Sequence, residues 1–179
     1  YVNNINNMGT VTYSPLAEGL ASIGGYYASS SSHVTEYYCQ KNYALVVSPG
    51  LSSEDQSPAA GSSPSSFSNY DNDTEGRVKE IVNGVTSEFA IPMNQNGSTY
   101  LDDVACYLYK NDIVGYQPGF QNVITYSVGF MGDKVGNLFL INTSNNGNGN
   151  FNLYDTTNKE YGKYHYVAQN PDELAAKLL

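Results

Sequence analysis

Basic residues are scarce in this chain. It holds 8 Lys and Arg against 17 Asp and Glu, for a net charge of -9 and a pI near 4.4. Phosphate backbones are bound by clustered Lys and Arg that release counterions, so this balance excludes a nucleic-acid partner. The same deficit excludes docking on an anionic membrane. Histidine is limited to His33 and His165 and cysteine to Cys39 and Cys106, with no C-x-x-C spacing, which disfavours thiolate or imidazole metal chemistry. No run is long and apolar enough to insert into a bilayer, and no basic start followed by an apolar core marks a signal peptide. The chain therefore reads as a mature or excised piece.

What remains is a single domain of 179 residues, long enough for a real core. Only 14% of residues are charged, while Asn, Ser, Gly and 17 Tyr are abundant, a composition that leans towards a secreted or cell-surface protein. In such a setting one disulfide between Cys39 and Cys106 is expected, tying the start of a strand to a helix; two buried free thiols are the alternative. Tyrosines such as Tyr37, Tyr38, Tyr107, Tyr109, Tyr161, Tyr164 and Tyr166 can bury a ring and keep the hydroxyl wet. Ordinary packing accounts for most of them, and a protein or carbohydrate contact surface is the sharper reading.

The pattern along the chain is α/β. Ser14 as cap and Pro15 in the first turn predict a helix with Leu16, Leu20, Ile23 and Tyr27 on one face, weakened near Gly24-Gly25. Tyr38 to Val47 reads as a strand, and its unbroken Ala44-Leu45-Val46-Val47 run predicts cover on both faces. Residues 51–98 turn to Ser, Pro, Gly and Asn and form a long irregular insertion, with a short helix expected at Gly76 to Val82. Leu101, Val104, Ala105 and Leu108 mark the next helix, with Asp102 and Asp103 suited to its positive amino end. Val123 to Phe130 is a second strand, followed by a helix over Lys134 to Ile141 and an Asn- and Gly-rich loop over Asn142 to Asn150. Phe151 to Tyr154 and Lys163 to Ala168 form either a hairpin or a loop and a strand. Asn170, Pro171 and Glu173 open a final capped helix with Leu174 and Leu178 inward.

Four segments carry a resemblance. Tyr38 to Gly50 (YCQKNYALVVSPG) resembles the "CQ(K/R)N, apolar run, T-D-G" strand of the von Willebrand A-like domain in the type IV pilus tip adhesin and biogenesis family. Ser14 to Leu20 (SPLAEGL) resembles its T-P-L-A-E-A-L helix start. Tyr100 to Asp112 resembles its Y-L-D-D-V-A-K-Y-L-Y helix, and Gln121 to Phe130 (QNVITYSVGF) its Q-N-V-T-T-Y-T-V-G-F strand. The resemblance implies a partial von Willebrand A-like, Rossmann-like open sheet: the later part of that domain, whose first strand would lie outside this chain. It implies an extracellular adhesion and pilus-assembly module of a Gram-negative bacterium, with pilin-like subunits or the missing half of the domain as partners and a surface or host ligand.

That family centres on a metal-ion-dependent adhesion site, built from a D-x-S-x-S loop, a Thr and an Asp. Here residues 1–13 hold no Asp, the Thr position falls on Ser14, and the Asp position falls on Pro49, which cannot ligate. The site is therefore at most vestigial, with Ser14 equally a helix cap. A second candidate is Asp71-Asn72-Asp73-Thr74-Glu75-Gly76, which resembles the D-x-D-x-D-G start of a calcium loop. Asp71, Asp73 and Glu75 would offer oxygens to Ca2+ or Mg2+. Against this, the twelfth position is Val82, where a bidentate Glu is needed, and Glu80 comes two residues early, so a solvated acidic loop competes. No catalytic set emerges: neither histidine adjoins a nucleophile motif, and Ser48 lacks a G-x-S-x-G setting. The expectation is a binding module and not an enzyme. A self-associating filament subunit is the alternative, completed by pairing at an exposed strand edge.

Overall fold

The structure is a computed structural model that describes residues 14–31, 34–55, 69–92 and 96–178. His33 lies outside them. The chain folds as mixed α/β: α1 (Leu16–Ala28), β1 (Asn42–Ser48), β2 (Arg77–Val82), β3 (Val85–Ala90), α2 (Tyr100–Lys110), β4 (Val123–Phe130), α3 (Lys134–Asn146), β5 (His165–Ala168) and α4 (Pro171–Leu178). The main sheet is three-stranded in the order β1-β4-β5, and both pairings are parallel. The smaller sheet is the antiparallel β2-β3 hairpin.

Going from β1 through α2 to β4 and on through α3 to β5, the chain steps the same way across the sheet each time. Right-handed crossovers then place both helices on one face. Side-chain burial follows that rule. Along β1 buried and exposed residues alternate strictly, with Ala44 and Val46 under the helices. Tyr43, Leu45 and Val47 point the other way and are 51%, 46% and 43% exposed. The unbroken apolar run predicted two covered faces; within the described residues only one is covered.

The core lies between that face and the helices. Leu20 of α1, Leu101, Val104 and Leu108 of α2, and Phe139 and Leu140 of α3 pack with Ala44, Val46 and Val123 of the sheet. All four predicted apolar positions of α2 are buried. Gly24, expected to weaken α1, is instead where α2 comes closest: a Cβ there would sit 2.5 Å from the Leu108 Cδ2. The cap of α1 also differs from expectation. The Ser14 amide donates to Ser53 Oγ at 2.9 Å, and the free amides of Ala17 and Glu18 donate to Asp55 Oδ1 at 2.9 and 3.2 Å. The insertion thus caps the helix, a long-range partner that local sequence does not show.

Three further expectations change. Gly76 to Val82 forms strand β2 and not a helix, because Asn83 and Gly84, both at positive φ, turn the chain tightly into β3. The Asn-rich tract continues α3 to Asn146, since its amides find buried partners: Asn145 Nδ2 donates to the Leu153 carbonyl, and its Oδ1 accepts from the Gly162 amide. Cys39 and Cys106 are both free: Cys39 is exposed in the turn before β1, whereas Cys106 is buried on α2, so the expected disulfide is not formed. Of the two readings near the carboxyl end, a loop leading to a strand is observed, with β5 parallel to β4. The capping box holds: Asn170 Oδ1 accepts from the Glu173 amide, while the Glu173 carboxylate accepts from the Gln169 amide.

At the carboxyl ends of β1 and β4, the Pro49-Gly50 turn lies directly on the first turn of α3. Gly50 has φ +125°, and a Cβ on it would fall 2.2 Å from the Gly136 Cα. Gly50→Ala is expected to destabilise the fold by about 2–4 kcal/mol, because it meets both a forbidden φ and backbone it cannot displace. Urea unfolding followed by circular dichroism checks this.

Candidate functional site

Loops at the carboxyl ends of parallel strands are the usual ligand site of open α/β sheets. Here Pro49, Leu51, Met131, Gly132 and Asp133 line a cleft of about 320 Å³ at that end. Its polar group is already used, since Asp133 Oδ1 accepts from the Gly136 amide at 2.7 Å and caps α3. The Pro49 carbonyl is turned onto Gly132 and Gly136. Ser14 is held on both sides by Ser53: its amide donates to Ser53 Oγ at 2.9 Å and its carbonyl accepts from the Ser53 amide at 3.0 Å.

Carboxylates gather elsewhere. Asp71, Asp73 and Asp102 each place a carboxylate oxygen within 4.8 Å of the others. The calcium-like loop supplies Asp71 and Asp73, and the first turn of α2 supplies Asp102 and Asp103. The Asp71 amide donates to Asp103 Oδ1 at 3.2 Å, which ties loop to helix. Asp71 is oriented by the Asp73 amide, 3.1 Å from its Oδ1, and by the Asn146 side-chain amide on its Oδ2. The Tyr154 hydroxyl reaches Asp73 Oδ2 at 3.4 Å. Glu75 accepts from the Thr99 hydroxyl through Oε2, while its buried Oε1 has no partner among the described residues.

The structure brings Asp71 and Asp73 of the predicted loop to Asp102, with Glu75 outside that trio, and sequence reasoning missed Asp102 and Asp103. Both read from sequence as acids suited to the positive amino end of a helix. They are buried because the insertion returns over α2, a contact with no local signature. Burial and mutual repulsion raise the carboxyls well above their usual range: Asp73 to about 6 and Asp103 to about 8, with Asp71 and Asp102 also raised. Burial beside these groups pushes the Tyr154 hydroxyl up as well. Cys106, next to Lys110, is raised to about 11 by burial, which leaves an inert thiol.

His165 meets Ser127 across the sheet, with Nδ1 2.8 Å from Oγ. Sequence spacing gave no hint of this pair. Its polarity is the reverse of an activated nucleophile: Ser127 Oγ donates to the Leu140 carbonyl at 2.8 Å, so the imidazole is the donor to the hydroxyl. Ser127 is fully buried, and His165 Nε2 has no partner among the described residues. Ser48 is likewise buried and accepts from the Gly50 amide within its own turn.

A third feature is the open face of the sheet. In the parallel register Tyr43 lies beside Ile124, Leu45 beside Tyr126, and Val47 beside Val128, which has Tyr166 of β5 on its other side. Tyr126 touches both Tyr43 and Tyr164, with ring centroids 6.0 and 5.6 Å apart. The outer edge of β1 has no strand partner among the described residues. No described helix is long and apolar enough to cross a membrane. Comparison with protein-family models, with curated proteins and with solved structures finds no match.

Burial lowers the His165 pKa from 6.5 to about 4. Between those values the unfolded chain binds the proton and the folded chain does not, so the contribution is present above pH 6.5 and lost as the pH falls towards 4. Taking the protein from about pH 7 to about pH 4.5 should cost the wild type on the order of 2 kcal/mol more than His165→Asn. Paired urea titrations at the two pH values test the difference.

Proposed function

We propose that this chain is a non-enzymatic extracellular binding and assembly module, the later part of a von Willebrand A-like domain of the kind carried by type IV pilus tip adhesins. The observation that carries the proposal is the apolar face of Tyr43, Leu45 and Val47, uncovered on a strand whose outer edge is unpaired among the described residues. A single hydrophobic sheet face needs a second layer. The earlier strands of such a domain would pair with the edge of β1, and their helices would cover this face.

The placement of the resembling segments supports the reading. SPLAEGL opens α1, YLDDVA opens α2, and QNVITYSVGF leads through β4, in an all-parallel order with helical crossovers. Recognition of pilin-like subunits, or of a surface or host ligand, would fall to the strand-end loops and the insertion, from Ser48 to Asn96.

A second reading rests on the same edge. β1 could pair with another copy, giving a filament subunit, and the many Asn and Tyr with few charges suit self-association.

Intact mass, light scattering and peptide identification on native material separate the two. The adhesin reading expects a one-to-one complex with a polypeptide bearing a D-x-S-x-S sequence. Leu45→Asp, on the exposed face, should weaken that complex by about tenfold or more while leaving the isolated chain's stability within about 0.5 kcal/mol. A ladder of this chain alone would replace the adhesin reading with the filament one.

A further inference from the structure

We propose that the Tyr27 hydroxyl guards the outer edge of β1 and keeps it from pairing with the β1 of a second copy of this chain. The inference rests on that edge being a pairing site, as proposed above, and names the residue that controls access to it. Tyr27, in the last turn of α1, donates its hydroxyl to the Tyr43 carbonyl at 3.0 Å. A carbonyl turned into the β1-β4 ladder would be taken by the neighbouring strand, so this one faces the open edge.

The register gives the same orientation independently. The Ser127 amide donates to the Tyr164 carbonyl at 3.1 Å, so Ser127 turns its backbone towards β5. Successive residues of a strand turn their amides and carbonyls to opposite sides, which leaves Ile124, Tyr126 and Val128 facing β1. In a parallel pair such a residue bonds the two neighbours of its register partner. With Ile124 beside Tyr43, Tyr126 beside Leu45 and Val128 beside Val47, the bonded residues of β1 are Asn42, Ala44, Val46 and Ser48. Tyr43, Leu45 and Val47 therefore direct their amides and carbonyls outwards, where no strand meets them among the described residues.

That outward set is complementary to itself. Turned about a two-fold axis through Leu45, it sets Leu45 opposite Leu45 and Tyr43 opposite Val47, each pair exchanging two hydrogen bonds in an antiparallel ladder. Pro49 has no amide to donate, so the ladder ends at Val47. No charged residue lies between Asn42 and Ser48 to oppose a copy, and the Tyr43, Leu45 and Val47 side chains of the two chains would form one continuous apolar face. The end pairs need the Tyr43 carbonyl, which Tyr27 occupies. The Tyr27 ring packs against the core and meets Tyr26 edge-on, so its hydroxyl is held in place. Both chains carry the cap, and a symmetric dimer has to break it twice.

The test is sedimentation equilibrium on the full chain as wild type, Tyr27→Phe and Tyr26→Phe. Wild type and Tyr26→Phe should stay monomeric. Tyr27→Phe keeps the packed ring and should match the wild type by circular dichroism. It should associate at least about tenfold more tightly, since one hydrogen bond is worth about a factor of five and two are removed. Hydrogen exchange should then show the amides of Tyr43, Leu45 and Val47 protected in the dimer. Adding Leu45→Glu to Tyr27→Phe sets two carboxylates opposite each other and should restore the monomer. A Tyr27→Phe chain that associates no more tightly than wild type, or whose dimer leaves those amides unprotected or survives Leu45→Glu, overturns the guard and leaves the adhesin reading as it was. A wild-type chain that itself pairs through these amides overturns the guard and replaces the adhesin reading with the filament one.

Discussion

The direction of the crossovers governs this molecule. Because β1, β4 and β5 follow one another in a single sense across a parallel sheet, right-handed connections leave α2 and α3 no choice of face. Every large buried side chain of those helices then packs towards the same side, and α1 joins them through Leu20 and the close approach at Gly24. The apolar residues of alternate parity on β1 are left pointing into solvent. An edge strand with such a face is normally covered or charged, and among the described residues this one is neither.

With the sheet covering one side of the helices, the insertion covers the other. The β2-β3 hairpin buries Val78 in the core, and the Ile81 amide joins it to the Tyr154 carbonyl at 2.7 Å. Lys134 at the start of α3 pairs with Glu80. This second layer is polar: Asn145 and Asn146 are buried on α3 and meet the Leu153 carbonyl and the Asp71 carboxylate where leucines would meet methyls. Such packing gains less from water release than an apolar layer but admits one arrangement, since each misplaced amide would leave a partner unsatisfied.

What could be read from sequence follows the range of the forces involved. Strand β4 and helix α2 were legible because period and apolar content decide them locally, and the Asn170 to Glu173 cap because both partners lie three residues apart. The extension of α3 was not, since Asn is a poor helix former and only tertiary partners at Leu153, Gly162 and Asp71 reverse that preference. The hairpin was missed although Asn83-Gly84 between Val- and Ile-containing stretches is itself a turn signal. At the acidic cluster the loop half was visible and the helix half was not. Asp102 and Asp103 fit the amino end of any helix, and nothing nearby in sequence says that a loop some thirty residues earlier will close over them.

The neck of the insertion has a consequence for variation. The Asp55 amide donates to the Asn96 carbonyl at 2.9 Å, and Ser98 Oγ donates to the Asp55 carboxylate at 3.0 Å, so the two chain ends are clasped where the excursion leaves the domain. Once a loop is closed at its base, lengthening it costs only a logarithmic term, about 0.6 kcal/mol for each doubling. Within that stretch the cost of change is uneven: the exposed Asn83-Gly84 turn can vary or lengthen cheaply, whereas Val78 is held in the core and resists substitution. Relatives of this chain would be expected to keep the Asp55 clasp and Val78 and to differ most at such exposed turns.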